Sequence, residues 1–162
     1  MNTFISFLVT VATATVACAS AANALADTVQ PGTTAPASVV KQISANAAVT
    51  IGSVSVRPIP RSIEGVRSTT PPGTTLVARA TDNLVGTSTN DLVVIYGDVD
   101  AITGRAATMG GGVSTRAYPT MGMTVVHVAS FDQLQSVQRQ IAQAFPTATF
   151  DLPVRYFDTK PR

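Results

Sequence analysis

The chain has 162 residues, 45% of them hydrophobic and 12% charged, with a formal net charge of +2. Its 11 Lys and Arg are scattered without a block, which excludes the clustered basic stripe of a nucleic-acid footprint. One histidine and one cysteine exclude a metal centre built on those side chains, and no cofactor motif accompanies them.

In chain order, residues 1–26 read as a signal peptide. Phe4 to Ala17 is apolar, and Ala24-Leu25-Ala26 offers a small-x-small cleavage site before Asp27. The apolar stretch falls short of the ~20 residues a membrane span needs. The expectation is an exported protein, periplasmic or extracellular, beginning at Asp27 with no membrane span. Thr15-Val16-Ala17-Cys18 partly fits a lipoprotein box, with Thr15 where a Leu is expected, so lipidation at Cys18 is the lesser alternative. Cleavage after Ala26 leaves no cysteine, hence no disulfide and no thiol site.

Residues 27–90 are rich in Pro, Thr and Gly, as in Gln30-Pro-Gly-Thr-Thr-Ala-Pro36 and Thr69-Thr-Pro-Pro-Gly-Thr-Thr75. Between these, Ser38 to Ala48 suits a short helix, and Val49 to Val56 and Thr74 to Ala80 suit strands. A long structureless loop inside a compact domain is disfavoured, so the stretch reads as a partly ordered, irregular N-terminal extension or linker outside the core.

Residues 91–157 carry the legible pattern. Leu92-Val-Val-Ile-Tyr96 is a β-branched run too short for a helix. Asp98 is placed to cap a helix from Ala101 to Met109, which Gly110-Gly111-Gly112 ends. Val113 to Tyr118 and Met123 to Ala129 suit two strands joined by a turn at Tyr118-Pro119-Thr120-Met121-Gly122. Ser130 and Gln133 fit a capping box, and Phe131, Leu134, Val137, Ile141 and Phe145 form one apolar stripe at helical spacing. Pro146 stops that helix, and Ala148 to Phe157 is a last strand that Asp151 and Pro153 confine to a sheet edge. Strand-helix-strand, hairpin, helix-strand implies α+β, a ferredoxin-like βαββαβ antiparallel sheet with two helices on one face, preceded by the irregular extension. The expected core is Leu92, Val94, Val125, Leu134, Val137, Ile141 and Phe145. Residues 158–162 are a C-terminal tail.

Catalytic groups are sparse. His127 stands alone in the middle of a strand, without the partners of a metal site or a Ser-His-Asp set. Asp98 and Asp100 are explained by a helix N-terminus. Gly110-Gly111-Gly112 follows a helix rather than opening one, the wrong end for an anion. Met109, Met121 and Met123 suit core filling. The inventory implies a protein that is not an enzyme, with no catalytic, metal or cofactor-binding residues.

Residues Asp91–Arg162 resemble the propeptide, or peptidase inhibitor I9-like, domain that precedes subtilisin-family serine proteases. Leu92-Val-Val-Ile-Tyr96 is similar to its opening strand. Met121-Gly122-Met123-Thr124-Val125 stands where L-G-L-x-V is usual, and Phe131 to Pro146 resembles its second helix. Phe150-Asp-Leu-Pro-Val-Arg-Tyr156 stands where many members end in D-x-N-H-x-Y, with Pro153-Val154 in place of Asn-His. The resemblance implies a sheet that packs on the protease and a C-terminal segment laid in its substrate cleft. Its partner would be a subtilisin-like serine protease, which the chain would inhibit or help to fold in trans. It also implies that Val154, Arg155, Tyr156, Phe157, Asp158, Thr159, Lys160, Pro161 and Arg162 are the protease-binding residues, an extended tail recognised through its backbone. The alternative is a periplasmic adaptor or assembly protein that binds a partner through its sheet edge.

Overall fold

The computed structural model describes residues 27–63, 66–68 and 70–157. The expected leader, its cleavage site and Cys18 lie outside the described residues. In chain order the elements are β1 (Asp27–Val29), α1 (Ala37–Ile43), β2 (Val49–Ile51), β3 (Val54–Pro58), β4 (Val66–Ser68), β5 (Thr75–Arg79), β6 (Val85–Ser88) and β7 (Asp91–Ile95). They continue with α2 (Val99–Ala107), β8 (Ser114–Tyr118), β9 (Met123–His127), α3 (Leu134–Ala144), β10 (Thr149–Asp151) and β11 (Val154–Arg155).

The expected fold class is overturned. The described chain is mostly sheet, not a ferredoxin-like βαββαβ domain behind an irregular arm. A five-stranded antiparallel sheet runs β11-β6-β5-β3-β2, a four-stranded one runs β10-β7-β9-β8, and β1 pairs with β4 in a parallel two-stranded ribbon. The stretch expected to be irregular supplies four of the five strands of the first sheet. The reason is packing. β5 is the middle strand of that sheet and is covered on both sides, with Leu76, Val77 and Ala78 all buried. A strand covered on both sides does not show the alternation that marks a half-buried one. Val77 joins the larger core, while Leu76 and Ala78 face the smaller one with Val39 and Ile43 of α1.

The larger core spans both sheets. Ile51, Val56 and Val77 from the five-stranded sheet meet Leu92, Val94 and Val126 from the four-stranded one, with Ile102 of α2 and Leu134, Val137 and Ile141 of α3. Asp98 caps α2 as its spacing implies, accepting the Ala101 N–H at 2.9 Å. The capping box does not form: Phe131–Gln133 is a 3-10 turn without a side-chain cap, and Oε1 of Gln133 is buried without a partner. Two core expectations need correcting. Phe145 is only half-buried, with its ring 5.1 Å from that of Tyr96. Val125 lies on the opposite face of β9, because Thr124 and Val126 take the inward phase. In Thr124-Val-Val-His-Val128 both phases are apolar enough for the core, so alternation alone does not choose between them.

Asn90 fixes the hand-over between the sheets. It is buried at φ 61, a left-handed conformation that Asn tolerates better than most residues. Thr75 donates to its Oδ1 at 2.9 Å, its own N–H donates to the Ser88 hydroxyl, and its carbonyl accepts from Val128 at 3.0 Å. This corner sets where Asp91 begins β7, and therefore the register of the site described next.

Candidate functional site

One face of the four-stranded sheet packs on α2 and α3, and among the described residues the other belongs to neither core. Cross-strand pairing aligns Val93 with Val125 and Ile95 with Met123, while β8 places Arg116 beside Val125 and Tyr118 beside Met123. Ile95 is 49% exposed, and Val93, Val125, Met123 and Tyr118 are half-buried. None of these residues belongs to either core cluster. A contiguous apolar patch of this kind, rimmed by polar groups, marks an interaction surface more readily than scattered exposed side chains do. Met121, expected in the core, is 64% exposed at the end of this sheet, in the 3-10 turn that leads into β9.

At the other end of the face lies a polar row. The register sets Asp91 opposite His127 and His127 opposite Ser114, so three residues distant in sequence become neighbours. Nδ1 of His127 lies 2.8 Å from Oδ1 of Asp91, and the Thr89 hydroxyl donates to Oδ2 of the same carboxylate. The row forms the floor of a concavity of about 480 Å³ that Arg116, Tyr118, Val125 and Arg155 also line. Ser114 makes no hydrogen bond to the imidazole among the described residues, so no activated nucleophile is in place. Sequence reasoning set His127 aside as a lone side chain. Counting outward from the Pro119–Gly122 turn would have placed Ser114 opposite it. The pairing with Asp91 has no such local signal.

The expected protease-binding residues do not form one free tail. Val154 and Arg155 are β11, paired with Ser88 and Thr87 of β6. Tyr156 sits beneath the Arg79 guanidinium, 5.0 Å from its ring centroid. That seat exists because residue 86 has no side chain: a Cβ on Gly86 would meet Val154 at 2.5 Å and the Tyr156 ring at 2.9 Å. Arg79 is held by Asp82, donating to its carboxylate at 2.8 and 2.5 Å. Those hydrogen bonds hold the Asp82 carboxyl down from 3.8 to about 2, and burial pushes the Tyr156 hydroxyl up. Phe157, 70% exposed, is where the described chain leaves the sheet; Asp158, Thr159, Lys160, Pro161 and Arg162 lie outside the described residues. The expected single last strand is thus two strands, and Leu152-Pro153 carries the chain from one sheet to the other.

Among the described residues no helix is long and apolar enough to cross a membrane, and no three His, Cys, Asp or Glu side chains are grouped to hold a metal ion. No protein-family model, no curated protein and no solved structure matches the chain.

Proposed function

We propose that this chain is an exported, non-enzymatic docking protein that engages a folded partner through the open face of its four-stranded sheet. The partner is a subtilisin-like serine protease, which the chain inhibits or helps to fold in trans. The observation that carries the reading is the apolar patch of Val93, Ile95, Met123 and Val125, which no core of this chain uses. A sheet face of this kind offers a broad, rigid surface of defined shape, and its Tyr118 and flanking Arg116 are residue types enriched at interface hot spots. The resemblance of residues 91–162 to protease propeptides supports the choice of partner. Because Val154 to Tyr156 are seated on the chain's own sheet, the cleft-binding part falls to Phe157 and the residues that follow it.

The test is to add the purified protein to a subtilisin-like protease and follow hydrolysis of a peptide substrate, then to repeat refolding of the denatured protease with and without it. Slower hydrolysis or a higher refolding yield supports the reading. No effect in either assay shifts it to the adaptor. That second reading is favoured by β8, which among the described residues lies at the sheet edge and is hydrogen-bonded to a strand on one side only, a template for a partner's strand.

A further inference from the structure

The polar end of the open face has its own chemistry. The concavity over the Asp91–His127–Ser114 row is also lined by two arginines, one of which, Arg116, has its guanidinium over the Tyr118 ring, 6.0 Å from the centroid. Arg116 projects from β8 at the far edge of the sheet, and Arg155 comes from β11, which belongs to the other sheet. Both are exposed, and among the described residues neither has a carboxylate within ion-pair distance. The carboxylate within the concavity does not serve them, since one oxygen of Asp91 is bonded to His127 and the other to Thr89. The same bond commits Nδ1 of His127. Ser114, Tyr118 and Val125 line the same space.

We propose that this concavity is a binding site for a carboxylate, held by Arg116 and Arg155 with the Ser114 hydroxyl completing its hydrogen bonds. Guanidinium groups match a carboxylate's planar pair of oxygens and bind it through charge-assisted hydrogen bonds. The neighbouring apolar patch identifies the source as an acidic side chain on a docked protein surface. That choice of source rests on the docking reading, whereas the site itself does not. Cations at the rim of an interface act mainly on encounter rate and specificity, and their contribution falls with ionic strength.

The experiment is a nuclear magnetic resonance titration of the full-length exported protein with three probes: an acetylated, amidated hexaglutamate peptide, citrate, and a hexalysine peptide of the same length. The expected result is saturable shifts at Ser114, Arg116 and His127 with hexaglutamate and none with hexalysine. Binding should weaken about tenfold in Arg116→Gln and in Arg155→Gln, as for loss of one charge-assisted hydrogen-bonding group. Both side chains are exposed, so each variant should melt with the wild type. Binding of citrate alone also supports the site and assigns it to a free small carboxylate. The proposal is overturned if neither acid gives saturable shifts there, if hexalysine shifts the same residues, or if binding survives both substitutions. None of these outcomes depends on whether the protein inhibits a protease.

Discussion

The two sheets differ in how they treat their outer faces. The five-stranded sheet is covered on both sides: Val77 enters the larger core, and Leu76 and Ala78 enter the smaller one beneath α1. Its β6 edge is closed too, by β11 and by the hydrogen bonds that Gly32 and Thr33 make to Val85. Among the described residues the four-stranded sheet buries one face only; on the other Ile95 is exposed and Met123 and Val125 are half-buried, and β8 is unpaired on its outer side. Among the described residues, the first sheet has its middle strand covered on both faces, while the second has a face to spare. Function is therefore sought on the second, and the first is read as scaffold.

The comparison breaks most visibly if the scaffold is not cooperative with the rest. Ile141→Ala empties the larger core and Ile43→Ala the smaller; each should cost about 2–5 kcal/mol. Denaturant melts of both should show one transition followed identically by far-ultraviolet and tyrosine signals. A separate early transition in Ile43→Ala alone would mean that the five-stranded sheet folds on its own. Next in size is the seat of the tail. Gly86→Val puts methyl groups where Val154 and Tyr156 lie, so it should destabilise by about 1–3 kcal/mol and expose Tyr156 to solvent, read by tyrosine fluorescence. Unchanged fluorescence would show that the tail is not held there. The smallest effect concerns acid. The Asp82 carboxyl is held below its ordinary 3.8, at about 2, so its contribution favours the folded state above pH 3.8 and is lost as the pH falls through about 2. The pair is exposed and screened, so the check is the carboxyl carbon titration itself: a midpoint near 2 is expected in the wild type, moving back towards 3.8 in Arg79→Gln.

Legibility in the sequence follows the same division. β7 was readable because four consecutive β-branched and aliphatic residues allow little else, and α3 because its stripe of Leu134, Val137 and Ile141 has one wet side. The Asp98 cap and the Pro119–Gly122 turn were readable because each is a local rule satisfied by local residues. Val49 to Val56 and Thr74 to Ala80 were readable as strands and form β2, β3 and β5, but the sheet they build was not, because its strands are three to five residues long and lie among Pro- and Gly-rich segments that also suit a linker. Its last strand comes from the far end of the chain, a pairing that no local pattern encodes. The same holds for the site. Arg155 was singled out as part of a free tail, yet it reaches the concavity only because β11 is held on β6, and His127 meets Asp91 across 36 residues of chain.

The claim that the open face is the docking surface is tested most directly by one substitution there. Val125→Arg places a charge at the centre of the patch without touching either core, so its thermal melt should match the wild type. Its affinity for a subtilisin-like protease, measured by surface plasmon resonance beside the wild type, should fall at least about tenfold, as for loss of a central interface contact. A variant that keeps its melting temperature and binds the protease as tightly as the wild type would contradict the account.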